Sequence, residues 1–100
     1  MRRAARRDGN EPAIVAAMRN AGLKVFYTNE LGDLLVQLGT DEVITELWEC
    51  KLPSGKLTPA QCRLRQAGLR ARTVRSVDDA LRARKEMLKK LALLQVAKFE

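Results

Sequence analysis

Two apolar, strand-like runs flank a short polar stretch in the first half of this 100-residue chain. One runs from Asp33 to Leu38 and the other from Glu42 to Lys51, with Gly39-Thr40-Asp41-Glu42 between them. That stretch can turn the chain back on itself, as a hairpin centred near residue 40 or 41. Asp33 then falls opposite Glu49, or one place off it. Strand side chains alternate faces, so Glu49 and Lys51 point one way and Cys50 the other. Two carboxylates and an ammonium then share one patch of sheet. This arrangement suits a divalent cation held over a phosphate.

The rest of the chain supplies further elements. Asp8-Gly9-Asn10 offers capping groups, and Glu11 and Pro12 suit the first turn of a helix. The helix is expected from Glu11 to Ala21, with Ile14, Val15 and Met18 on its buried face and Gly22 as its stop. Leu23 to Tyr27 reads as a first strand, followed by a loop at Asn29-Glu30-Leu31-Gly32. Asp33 to Leu38 has little polarity and should be a central strand. After Lys51 a loop covers residues 52–56. Thr58-Pro59-Ala60-Gln61 has the residue types of a capping box, opening a helix that ends at Gly68. Ala71 to Arg75 makes a short fourth strand. Ser76 caps a last helix running to about Lys98, with Asp79 at the capping-box position.

The expected architecture is α/β, a mixed sheet flanked by helices in one small domain spanning residues 1–100. Residues 1–7 form a basic arm, and residues 76–98 form a C-terminal helix. Leu91, Leu93, Leu94, Val96 and Phe99 make the end of that helix apolar nearly all round. A chain this small has little core to cover it. Dimerisation through the helix is the economical explanation, and wrapping of the protomer's own sheet is the alternative.

The formal net charge is +7, and the charges are segregated. Residues 29–50 hold six acids and no base, whereas residues 56–90 hold eleven bases and three acids. An acidic pocket in a basic protein fits a cation site that must also attract a polyanion, so nucleic acid is the expected partner. The plainer explanation is solvated charge on helix surfaces. No run of about 18 apolar residues exists to cross a membrane. The arginines at the N-terminus have no apolar segment behind them, as a secretory signal would. Cys50 and Cys62 are too few for a disulfide framework, and a reducing, cytoplasmic setting is expected. The chain has no histidine, which excludes a Ser-His-Asp triad, His-based acid–base catalysis and His-ligated zinc.

Phosphodiester cleavage needs a cation to organise the phosphate, an activated water and an offset for the developing charge. Carboxylates are the hard oxygen donors that Mg²⁺ takes, commonly one or two from protein. Asp33 and Glu49 fit that role, with the Cys50 carbonyl as a backbone ligand. Lys51 could orient or help deprotonate the attacking water, or offset charge at the phosphate. Each residue also has a plainer use. Asp33 suits a turn, Glu49 and Lys51 suit a sheet-rim ion pair, Glu11 suits the helix dipole, and Gln61 suits the cap.

Glu11, then Gly32-Asp33-Leu34-Leu35-Val36, Glu49-Cys50-Lys51, Leu57-Thr58-Pro59-Ala60-Gln61 and Val74-Arg75-Ser76-Val77-Asp78-Asp79-Ala80-Leu81 occur in that order. This ordered set resembles the VRR-NUC domain, the virus-type replication and repair nuclease branch of the PD-(D/E)xK, restriction-endonuclease-like superfamily. The resemblance covers roughly residues 7–82. The family usually has proline before the first aspartate, where this chain has Gly32. The resemblance implies a restriction-endonuclease-like sheet flanked by helices and Mg²⁺- or Mn²⁺-dependent cleavage of DNA. It implies Asp33 and Glu49 as metal ligands, Lys51 as the catalytic lysine, Gln61 as a site-lining residue and Glu11 as a further acid near the metal. For stand-alone, phage-type members it implies a homodimer resembling Holliday junction resolvases. The expected function is a structure-selective endonuclease on branched or duplex DNA, in a phage or bacterial setting. Lys56, Arg63, Arg65, Arg70, Arg72 and Arg75 would hold backbone phosphates. The alternative is a non-catalytic basic DNA-binding protein on a degenerate nuclease fold.

Overall fold

The polar stretch between the two apolar runs does form the turn of a hairpin, and the sheet is built around it. The computed structural model describes residues 9–28 and 33–98. The basic arm, the loop at 29–32 with Gly32, and Phe99 lie outside the described residues. The elements in chain order are α1 (Glu11–Asn20), β1 (Lys24–Tyr27), β2 (Leu34–Leu38), β3 (Ile44–Cys50), α2 (Pro59–Gln66), β4 (Arg72–Val74) and α3 (Val77–Lys98). Every helix and strand expected from the sequence is present, with ends moved by at most about two residues, as fraying ends allow.

The four strands lie in the order β1-β2-β3-β4. β1 and β2 pair antiparallel, as do β2 and β3, while β3 and β4 pair parallel. The sheet is therefore mixed, and β2 is central as its low polarity suggested. Leu34 pairs with Trp48 and Leu38 with Ile44. The Asp33 N–H donates to the Trp48 carbonyl at 3.1 Å and continues that ladder one step beyond β2.

One face of the sheet carries the core. Val25, Leu34, Val36, Trp48, Cys50 and Val74 are buried with Ile14, Val15 and Met18 of α1 and Ala80, Ala83 and Met87 of α3. α1 packs on β1 and α3, and α3 crosses β2, β3 and β4. α2 opens with the expected capping box: Thr58 Oγ1 accepts from the Gln61 N–H at 3.1 Å, and Gln61 Oε1 accepts from the Thr58 N–H at 2.9 Å. No residue of α2 is buried, so polar ties rather than apolar packing hold it. Ser76 caps α3 through its Oγ, which accepts from the Asp79 N–H at 3.1 Å. The core runs out before α3 does. Leu91 is partly buried, but residues 92–97 are exposed, with Leu93 at 69% and Val96 at 56%. The end of α3 thus does not wrap its own sheet. No described helix is long and apolar enough to cross a membrane.

Gly39 controls the hairpin turn. Its φ is +111°, and a Cβ there would lie 2.1 Å from the Glu42 carbonyl oxygen. Backbone cannot yield as a flexible side chain could. Gly39→Ala is expected to destabilise the protein by roughly 3 kcal/mol, from backbone strain and steric crowding together. Urea denaturation measures this, and an unchanged midpoint would show that the turn tolerates a side chain.

Candidate metal centre

Asn10 precedes α1 but does not cap it. Its backbone is helical and its side chain makes no capping bond, and Asp8 of the expected capping segment lies outside the described residues. Asn10 Nδ2 instead donates to the Lys51 carbonyl at 2.9 Å and the Arg75 carbonyl at 3.0 Å. One amide therefore pins the start of α1 against the carboxyl ends of the parallel strands β3 and β4. Ligand sites of open α/β sheets favour that end. Glu11, the next residue, is held there at 2% exposure, where the positive end of the helix dipole favours a carboxylate. Asn10 Oδ1 is buried and has no hydrogen-bond partner among the described residues.

Asp33 reaches the same place from the sheet. Its Oδ2 accepts from the Cys50 N–H at 2.7 Å. Ligand atoms of Glu11, Asp33 and Cys50 lie within 4.8 Å of one another, a group that could hold a metal ion. The Cys50 atom in this group is Sγ, whereas the expected donor was its carbonyl. Two carboxylate oxygens and a thiol are donors of the kinds that take metal ions.

Glu49 does not belong to that group. Strand alternation turns it to the face opposite Cys50, where it pairs with Arg65 of α2. Its side chain is 3% exposed, and the same Arg65 nitrogen, Nη2, also donates to Thr73 Oγ1 at 3.0 Å. Thr73 is the register partner of Glu49 across β3 and β4, so the three groups share that face. The register of β2 and β3, carried one step past the Leu34–Trp48 pair, sets Asp33 across from Glu49 as expected. Asp33 stands one place before β2, and its carboxylate, bonded to the Cys50 N–H, lies with Cys50 and Glu11. Lys51 is buried, and its backbone is fixed on both sides. Its N–H donates to the Val74 carbonyl at 3.0 Å, and its carbonyl accepts from Asn10.

Other expected site residues have structural work. Gln61 closes the capping box of α2 through its Oε1. Arg75 Nη1 donates to the carbonyls of Leu52, Pro53 and Gly55 at 2.9, 3.2 and 2.7 Å, and so shapes the loop after Lys51. Arg72 forks onto Glu46, with Nε on Oε1 at 2.8 Å and Nη2 on Oε2 at 3.0 Å, while its Nη1 reaches Glu86 at 2.8 Å. Of the six basic residues expected on DNA, Arg65, Arg72 and Arg75 therefore hold the protein itself together. Lys56, Arg63 and Arg70 are exposed.

Glu46 was not anticipated, nor was Asn10 as a clamp. An asparagine before a helix reads as a cap from sequence, and only the neighbouring carbonyls redirect it. The signal for Glu46 was its position as an acid on an apolar strand facing a basic segment. No family model matches the chain, nor does any curated protein or solved structure.

Burial pushes the Glu46 carboxyl up, but hydrogen bonds from Arg72, Trp48 and Lys90, with the Arg72 charge, outweigh it and hold the group below its ordinary value. The hydrogen bond to Glu46 likewise leads the causes that raise the Arg72 guanidinium. A carboxyl held low in the folded state contributes stability above its unfolded pKa near 4.5 and loses it as pH falls through the lower folded value. Glu46→Gln should cost about 2 kcal/mol at neutral pH. The gap to wild type should shrink as pH falls below 4.5, and a gap independent of pH in denaturant melts would refute this role.

Proposed function

We propose that this chain is a metal-dependent nuclease of VRR-NUC type in the PD-(D/E)xK superfamily, a structure-selective endonuclease acting on branched DNA. The observation that carries this reading is the meeting of Glu11 and Asp33, with Cys50, within 4.8 Å, next to Lys51 at the carboxyl ends of two parallel strands. Buried carboxylates repel each other unless a cation or a proton offsets them. Asp33 and Glu11 would hold Mg²⁺ or Mn²⁺, and Glu49 would join them on leaving Arg65. The bound cation would polarise the phosphate and lower the pKa of a water.

The residues of the chain do the rest. Lys51, whose backbone Asn10 and the β3–β4 ladder hold, would orient the attacking water through its ammonium or offset charge on the phosphate. Lys56, Arg63 and Arg70 are exposed and would take backbone phosphates without reading bases, which suits recognition of branch shape. Leu93, Leu94 and Val96, exposed beyond the core, would be buried between two copies. A symmetric homodimer would then bring two centres to opposed strands of a junction.

A second reading has its own support. Glu49 is tied to Arg65 and Gln61 to its cap, which suits a DNA-binding protein that keeps the fold without the chemistry. A labelled four-way junction incubated with Mn²⁺ or with EDTA separates the two readings. Product with Mn²⁺ alone supports the nuclease, and tight binding without product supports the binding protein. Asp33→Asn and Lys51→Ala are each expected to lower cleavage roughly a hundredfold or more while leaving junction binding intact. Unchanged metal-dependent cleavage in both would remove the proposed centre. Sedimentation should give a mass near twice 11.2 kDa, reduced to the monomer by Leu94→Glu, and a wild-type monomer at micromolar concentration would end the two-strand scheme.

A further inference from the structure

Arg65 belongs to two places at once. It holds Glu49, and it also lines a cleft of about 530 Å³ with Glu46, Leu47, Leu69, Arg70, Arg72 and Lys90. That volume suits a small ligand. Four cations face one carboxylate in the cleft, and that carboxylate is already committed. Both Glu46 oxygens take Arg72, and Oε2 also accepts from Lys90 at 3.3 Å. The lining therefore carries excess positive charge, with Arg70 and Lys90 exposed at the surface.

The two arginine pairs of this region differ in kind. Arg72 meets Glu46 as a fork, through Nε and Nη2 on separate oxygens. Such two-point pairing is strong and directional. Arg65 meets Glu49 through Nη2 alone and shares that nitrogen with Thr73. Arg65 Nε is buried with no hydrogen-bond partner among the described residues, a cost that the present arrangement leaves unrelieved. Arg72 thus pairs at two points and Arg65 at one.

We propose that the cleft binds a tetrahedral oxyanion, of phosphate or sulfate chemistry, and that the bound anion draws Arg65 off Glu49, releasing this carboxylate toward the cation held by Asp33. The anion offers Arg65 a two-point partner alongside Arg70 and Lys90. Glu49, nearly fully buried, then carries a negative charge without its arginine, and a cation becomes the means of neutralising it. Anion and cation are thereby coupled through Arg65, and each raises the affinity of the other by the same factor. This rests on the metal centre proposed above, but it does not require that the protein cleave anything.

Two measurements on the full chain test it. The first is a sulfate titration of the metal-free protein, followed by ¹⁵N NMR of the arginine side chains. The Arg65 signal should shift and its side-chain protons should exchange faster, and both effects should vanish in the Arg70→Ala/Lys90→Ala double variant. The second is Mn²⁺ affinity by electron paramagnetic resonance, with and without sulfate. Sulfate should tighten Mn²⁺ binding about tenfold, within the usual 5- to 150-fold range of coupled sites. Arg65→Gln keeps the length and a donor for Thr73, and it should bind Mn²⁺ tightly without sulfate and gain nothing from it. Glu49→Gln should lose the sulfate effect as well. A thermal melt of each variant checks that it is folded.

A short oligonucleotide used in place of sulfate in the NMR titration identifies the source of the anion. An Arg65 response at lower concentration than with sulfate assigns the cleft to a strand phosphate, and a response to sulfate alone assigns it to a free anion. An unmoved Arg65, or equal Mn²⁺ affinity in wild type and Arg65→Gln, overturns the coupling. So does a failure of both to bind Mn²⁺. A protein that cleaves no junction yet shows sulfate-dependent Mn²⁺ uptake would sustain the coupling and remove only the nuclease reading.

Discussion

The pairing of β2 with β3 governs where every polar group of the candidate site can go, because side chains along a strand alternate faces. A one-residue slip of β2 would send Leu34 and Val36 outward and bring Leu35 in. The turn at Gly39 holds the register at one end, through a backbone conformation that a side chain would block. Asp33 holds it at the other, with its N–H on the Trp48 carbonyl and its carboxylate on the Cys50 N–H. The residue that would bind a cation is therefore also the residue that closes the hairpin. Its position is secured by backbone bonds that do not depend on any ion.

Around that hairpin, charge is arranged in two unlike ways. On the core side, Glu46, Arg72, Glu86 and Lys90 form a network joining β3, β4 and α3. Trp48 adds its indole N–H to Glu46 at 2.9 Å. The network satisfies its members and fastens the long helix to the far strands. On the opposite side, Glu49 has one arginine from a helix that buries no residue of its own. Breaking one partner out of a buried pair is normally expensive. A second anion for Arg65 and a cation for Glu49 would each replace what the other loses. The two pairs thus differ in kind, Arg72 holding Glu46 through two nitrogens and Arg65 holding Glu49 through one.

The elements themselves were largely legible. Local rules place α2 through Thr58, Pro59 and Gln61, and α3 through Ser76, because a cap is satisfied within four residues. The hairpin follows from apolar runs and a polar turn, for the same local reason. The site was legible in part. Asp33, Cys50 and Glu11 were all candidates, and all three converge. The register expected for Asp33, across from Glu49, holds one step past the last pair of β2 and β3, while its carboxylate lies with Cys50 and Glu11. Gln61 makes the helix cap its position suggested, while Arg75, read toward DNA, is given a loop to hold.

Sequence alone determined the order of helices and strands, the hairpin and the identity of the acids available to a cation, because these rest on neighbours a few residues apart. Tertiary structure decided which acids meet. Asn10 finds carbonyls 41 and 65 residues away rather than its own helix, and Arg65 crosses from α2 to take Glu49. Those partners are set by how layers stack in space, and spacing along the chain carries no record of them.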